Sequence, residues 1–421
     1  MHNISYSFRA ARLLLLASLI FLSYSASSQN EGCTDPQALN YNPGATWNDG
    51  SCYYAVTNHS PEPYVDLPSS LNESSGLIYY SEGIWTFNDS EGEPVIFKVD
   101  TLSGNILQEV TISNGNNTDW EDIAQDEDYI YVGDFGNNAG NRKDLAVYKI
   151  DKADIPSTGN ATVTAEIIAY SYADQEDFTT QVNNNEYDCE AMISSGGKLY
   201  LFTKNWVSET SRLYELPAEP GTYDIWPVDT LNVEGLVTGA AYSEELGQIV
   251  LSGYRYYVPF IFLLFDYHDD RFFSGNKRKI GLSGVFGAQT EGICFKKNYQ
   301  TLLSCEASAI EQQVFTINTA QWTDTSFVRI EEPDNKIDIK VRPNPVEKGE
   351  LFIDGLGPDV LDYSLAIYNS TGVQVPWKEQ NHMRGTSIQS IKVLLPEAPP
   401  GLYLLHIYSG DLYATQKIII P

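Results

Sequence analysis

From Tyr64 to Ile330 the chain repeats a unit of four short apolar strands with a period of roughly 45 to 70 residues, and no other feature limits the possible folds so tightly. The first unit reads SGLIYY, GIWTFN, VIFKVD, ILQEVTI, and the second WEDIA, YIYVGD, LAVYKI, AEIIAYSY. The third is CEAMIS, KLYLFTK, SRLYEL, WPVDTLN; the fourth TGAAYS, QIVLSGY, FIFLLFDY, KRKIGL; the fifth EGICF, TLLSC, QQVFTI, SFVRI. Units this small cannot bury their faces alone, and a radial array lets each cover the next while leaving only short edges. The expected fold is therefore all-β, a β-propeller of five four-stranded blades over residues 58–330. A sixth blade would have to come from Tyr53 to Leu67, where there is barely enough chain.

In such an array the first strand of each unit lines the central channel, so the opening residues of the units meet around one axis. These are Glu73, Glu121 with Asp122, Asp188 with Glu190, Thr238 and Glu291. The second strands end in Asn88 and Asp89, Asp134, Lys204 and Asn205, Tyr254 and Arg255, and Glu306. The stretch Asp119 to Arg142, DWEDIAQDEDYIYVGDFGNNAGNR, shows the plan. Its two strands are antiparallel, so Glu121 and Asp122 share an edge with Asp134, Asn137 and Asn138. One mouth of the channel should be a ring of carboxylates and amides holding two cations, Lys204 and Arg255.

The five histidines (2, 59, 268, 382, 406) miss every converging position, which argues against a His-ligated zinc or a Ser-His-Asp triad. No GxSxG elbow or GxxxxGK[ST] phosphate loop is present. Oxygen ligands remain, and they suit a hard cation, calcium before magnesium. The expected metal set is Glu73, Glu121, Asp122, Asp134, Glu190 and Glu291; the expected ligand-binding set is Lys204, Asn205, Arg255, Asn137 and Asn138. Lys204 and Arg255 could instead neutralise the ring as ion pairs. Two functions follow: a binding module that engages an extracellular glycan, protein or mineral surface through groups around Trp85, Asn137, Trp206 and Tyr256, or a calcium-dependent hydrolase of esters, lactones or phosphoesters with Glu121 or Glu190 as base.

The formal net charge of -30 excludes a nucleic-acid partner, whose phosphates need a basic face. Arg9 and Arg12, the apolar run Leu13 to Leu22 and the small residues Ser25 to Ser28 read as a secretory signal peptide over 1–28. No transmembrane segment is expected. All five cysteines (33, 52, 189, 294, 305) follow the signal, so disulfides are permitted. A Cys33–Cys52 bridge would close a turn-rich loop and contribute roughly 3 kcal/mol. Asp35, Asn40, Asn42, Asn48 and Asp49 inside it could form a calcium loop or simply a disulfide knot. Cys294 and Cys305 flank a hairpin and are either bridged or core thiols.

The segment over 29–57 resembles the Cys-bracketed CTDP…ALNYNP…DGSC module of secreted Bacteroidetes proteins. WEDIA, GDFGNN, YSYADQEDF…YDCEAM and LYLFTKN resemble a group of bacterial secreted propellers, and the acidic strand starts are loosely similar to calcium-centred propellers. After a linker at 331–337, residues 338–421 form a small Ig-like β-sandwich by alternation and turn spacing. Pro343-Asn344-Pro345, Leu365 to Tyr368 with its Ser370-Thr371-Gly372 turn, and Pro400-Gly401-Leu402-Tyr403 resemble the type A C-terminal sorting domain of the type IX secretion system. The resemblance implies a Bacteroidetes cell, the type IX machinery as partner, and a secreted or outer-membrane-surface location.

Overall fold

The computed structural model describes residues 29–90, 92–323, 339–355, 363–369, 374–384, 387–395, 398–409 and 412–421. The expected signal peptide and linker lie outside these residues. Two compact units result, Met1–Val328 and Arg329–Pro421.

In the first unit, five strands are buried on both faces: Ser74–Tyr80, Trp120–Gln125, Cys189–Ser195, Leu236–Ser243 and Thr290–Lys297. Position explains it. Each lies against the next, and Thr290–Lys297 returns to lie against Ser74–Tyr80. From each, a sheet runs outward through its second, third and fourth strands. Outer strands such as Asn276–Leu282 alternate between fully buried and partly exposed residues, because one face packs on a neighbouring sheet and the other meets water. At the centre the backbones approach too closely for side chains. A Cβ on Gly292 would stand 2.5 Å from the Gly76 carbonyl carbon, and one on Gly239 2.5 Å from the Glu291 carbonyl oxygen. The cores lie between sheets, where Trp85, Phe87 and Trp120 pack with Ile123 and Val132; full burial of each large side chain stabilises by roughly 1.5–3 kcal/mol.

The chain before the first sheet supplies outer strands elsewhere. Thr57–His59 adds in parallel to the fourth sheet, and Glu62–Asp66 pairs antiparallel with Gln313–Asn318 as the fourth strand of the fifth. That place was expected for Ser326 to Ile330, which lies outside the described residues. Residues 53–67 therefore complete existing sheets and do not form a sixth. Parallel fifth strands also come from Ala161–Val163 on the first sheet and Gly221–Ile225 on the second.

Cys33 and Cys52 are bridged. Within their loop the oxygens considered for calcium cap local donors: Asp35 accepts from Gln37 N and the Tyr54 hydroxyl, Asn40 from Tyr53 N, Asn42 from Gly44 N, Asn48 from Gly50 N and Asp49 from Ser51 N. The knot docks on the fourth sheet through Asn48, which donates to Asp266 and Asn276, and through Trp47 stacked on His268 at 3.7 Å. Cys189, Cys294 and Cys305 are free and buried; the register sets Cys294 opposite Leu302 and Cys305 opposite Thr290, so the two do not face each other.

The second unit has a four-stranded sheet (Lys340–Glu347, Glu350–Asp354, Ser387–Leu394, Lys378–Arg384) and a three-stranded one (Ser364–Asn369, Gly401–Ser409, Leu412–Ile420). Leu351, Ile353, Ile391 and Val393 of the one share a core with Leu365, Ile367, Leu405 and Ile407 of the other. It is a sandwich. Asn344 ties the sheets at one edge, donating to Lys417 O and accepting from Ile419 N.

Candidate functional site

All five central strands slip in register near their start. In the second sheet Trp120 pairs with Asp134 and Asp122 with Gly133, which leaves Glu121 without a partner residue. In the third, Cys189 pairs with Thr203 and Ala191 with Phe202, leaving Glu190. The slips in the fourth and fifth sheets leave Thr238 and then Glu291 with Gly292; in the first they leave Gly76 and Leu77. A bulge turns its extra side chain away from the regular alternation. Glu121, Glu190 and Glu291 consequently converge on one pocket of about 160 Å³, joined by Asp89, Lys204, Tyr254 and Glu306 from the ends of second strands and by Asn138, Trp206 and Gln289 from loops.

Lys204 is the pocket's cation. Its Nζ lies 2.6 and 2.5 Å from the two oxygens of Glu190, 4.8 Å from the Trp206 ring and 5.5 Å from that of Tyr254. Burial opposes its charge, yet Glu190, Tyr254 and Glu291 together hold its pKa well above the ordinary value. Glu190 is thereby paired, although burial still holds its carboxyl well above the ordinary range.

A second group of carboxylates is unmatched. Oxygens of Asp89, Asp119 and Glu121 lie within 4.8 Å of one another. Glu121 is 5% exposed, and among the described residues no donor pairs with its carboxylate. One oxygen of Asp89 is likewise buried without a partner. Burial, followed by the charge of Glu190, pushes the Glu121 carboxyl well above its ordinary range. Burial with Asp119 and Glu306 pushes Asp89 up to about 8; burial with Asp188 moves Asp119 to about 6; burial with Glu73 moves Glu306 to about 7. Gly136 makes room for the group, since a Cβ there would stand 2.2 Å from Glu121 Oε1 and 2.5 Å from Asp119 Oδ2. Such a set can bind a hard cation or hold protons in its place.

The remaining candidates are placed elsewhere. Asp122 turns both oxygens onto backbone N–H groups, those of Ile123, Met192 and Ala240, and so ties three central strands together. Asp134 is held by Arg142 at 2.9 Å, whose guanidinium also donates to Gly136 O and Asp144. Asn137 fixes the same loop, donating its N–H to Asp188 at 2.6 Å and accepting from Arg142 N. Asn205 is buried and donates to Thr210; Arg255 pairs with Glu209 at 2.5 Å, outside the pocket. Glu73 is exposed ahead of the first central strand, where its carbonyl accepts from Asp89 N. Trp85 is buried in the core, its Nε1 donating to Tyr80 O. Asp89, Asp119 and Glu306 stand among the edge residues of the sequence pattern, whereas Gln289 lies just before a strand and carries no signal there.

Comparison with known proteins bears on the C-terminal unit. Residues 340–421 match the family model of the secretion system C-terminal sorting domain. This part of the chain is a type IX sorting domain. The sorting domain makes the protein a secreted or cell-surface one and implies contact with the type IX machinery. No curated protein matches the chain in sequence. Among solved structures, the PQQ-bound aldose sugar dehydrogenase of Streptomyces coelicolor is 12% identical, covering 62% of this chain and 99% of its own, with a TM-score of 0.36. The exo-beta-1,3-galactanase of Phanerochaete chrysosporium is 8% identical over 89% and 98%, with a TM-score of 0.39. The Dos1 propeller is 10% identical over 70% and 71%, with a TM-score of 0.29. Similarity this distant says nothing of activity. Among the described residues no helix is long and apolar enough to cross a membrane.

Proposed function

We propose that the protein is a five-bladed propeller, delivered by its signal peptide and sorting domain to the surface of a Bacteroidetes cell, where it binds an extracellular ligand at a calcium-containing channel mouth. The observation that carries this is the uneven neutralisation of the carboxylates in and beside the pocket. Lys204 neutralises Glu190, while Asp89, Asp119 and Glu121 converge with no cation bonded to them among the described residues. Three carboxylates in a partly dry cleft repel one another unless a cation or protons intervene. Calcium suits them, because it accepts several protein oxygens in flexible geometry. The bound ion would then polarise or coordinate oxygen atoms of the ligand, with Lys204, Asn138 and Gln289 supplying further polar contacts.

A second reading is favoured by one group. Glu306 has a pKa of about 7 inside the same pocket, where a carboxyl can exchange a proton near neutral pH, as a hydrolase of esters, lactones or phosphoesters requires. The secreted chain separates the two when incubated with p-nitrophenyl esters, p-nitrophenyl phosphates and lactones, with and without calcium. Binding without turnover above that of a Glu306→Gln variant supports the first reading. Calcium-dependent turnover that the variant loses establishes the second.

A further inference from the structure

We infer that the ligand of this pocket is a neutral, hydroxyl-rich carbohydrate chain, which reaches it across an aromatic ledge made by Tyr256, Tyr257 and Phe286. The inference rests on the pocket being the ligand site, though not on the cation. Arg255 pairs with Val258 across a hairpin whose two loop residues, Tyr256 and Tyr257, have φ of 50° and 62°. Both lie in the left-handed region, where Asn-Gly is the favoured pair and a bulky side chain costs ~1 kcal/mol or more. The comparable turn at Ser81 and Glu82 spends this strain on polar side chains. Here it presents two rings that are 75% and 73% exposed. Their loop is anchored: Arg255 is pinned to Glu209 with its guanidinium 5.3 Å from the Tyr256 ring, and Tyr257 O accepts from Gly287 N at 3.1 Å. That last bond sets the 71% exposed Phe286 beside the hairpin.

Both loops lead into the pocket wall, through Tyr254 on one side and Gln289 on the other. On both loops the ledge thus stands within three residues of the pocket wall, and the chemistry of ledge and pocket differs in a way that selects the ligand. Flat, anchored rings without a free positive charge receive the C–H face of a pyranose. The pocket offers many oxygen acceptors and one ammonium already engaged by Glu190, which suits hydroxyl donors and repels polyanions. An apolar protein surface would cover the ledge but leave the acidic pocket unmatched.

The test is affinity electrophoresis of the secreted chain in gels cast with neutral polysaccharides (laminarin, galactomannan, xyloglucan, arabinogalactan) and with anionic ones (alginate, polygalacturonate). The informative variant is Tyr256→Asn with Tyr257→Gly, which removes both rings yet installs the residues this turn prefers, so it folds at least as well as the parent. Retardation of the parent by at least one neutral polysaccharide, weakened about tenfold in the double variant and in Phe286→Ser, is expected. No retardation by any neutral polysaccharide, equal retardation of parent and double variant, or retardation by the anionic gels alone overturns the inference. Calcium binding measured on the same double variant should equal the parent's. Its loss from both with glycan retardation intact would remove the cation and leave the carbohydrate site standing.

Discussion

The Lys204 ammonium lies between the two carboxylate oxygens of Glu190, at 2.6 and 2.5 Å, with both side chains almost wholly buried. Removing one partner strands the other charge in a dry site. Lys204→Met should destabilise the protein by about 3–5 kcal/mol in denaturant unfolding. Adding Glu190→Gln to it should recover most of that loss. Strictly additive single-variant effects would show that the pair is not coupled.

Gly136→Ala tests how tightly the acidic trio is built. A methyl group there would stand 2.2 Å from Glu121 Oε1 and 2.5 Å from Asp119 Oδ2, so both carboxylates must shift from their present positions. Calcium affinity should fall at least ~10-fold, which is roughly 1.4 kcal/mol or more. Unfolding free energy should change far less, because Ala also stiffens the unfolded chain.

The pH dependence of stability has a defined sign. Asp119, Glu306 and Asp89, with pKa values of about 6, 7 and 8, keep their protons in the folded chain over a range where the unfolded chain, near 4, has lost them. The folded state therefore binds more protons between about pH 4 and 8, and stability falls as pH rises through that window. Without calcium the melting temperature should drop by roughly 5 °C between pH 5 and 8. Saturating calcium should flatten this slope by favouring the ionised forms, and calcium affinity should rise with pH over the same range. A slope indifferent to calcium would count against the trio as its site.

Asp122→Asn separates structure from binding. The carboxylate accepts three backbone N–H groups, from Ile123, Met192 and Ala240, on three central strands. An amide can accept at only one of its two positions and turns donors towards the other N–H groups. Stability should fall by about 2–3 kcal/mol with calcium affinity unchanged.

Much of this was legible in the sequence, for identifiable reasons. The repeat of four short strands reveals the five sheets, because each unit carries its own hydrophobic pattern. Pro343-Asn344-Pro345 marks the sorting domain through a local motif. The acidic starts of the central strands pointed to the converging face. Which side chain turns inward was not legible, because a bulge in all five strands breaks the two-residue alternation that such a reading assumes. It sends Glu121 into the pocket and leaves Asp122 on the backbone of its neighbours. The pairing of Asp134 with Arg142, and of Arg255 with Glu209, likewise depends on loop geometry that no local pattern encodes. The outermost strand of the fifth sheet comes from Glu62–Asp66, far away along the chain, which a strand-by-strand reading cannot anticipate.

The most direct measurement is calcium titration by calorimetry of the secreted chain beside Asp119→Asn and Glu121→Gln variants. One ion should bind the parent with a Kd on the order of 10⁻⁴ to 10⁻³ M, as extracellular calcium modules do. Each variant should lose at least ~10-fold in affinity, roughly 1.4 kcal/mol or more. Heat of binding that is absent from the parent, or identical in all three proteins, would contradict a cation held by Asp89, Asp119 and Glu121.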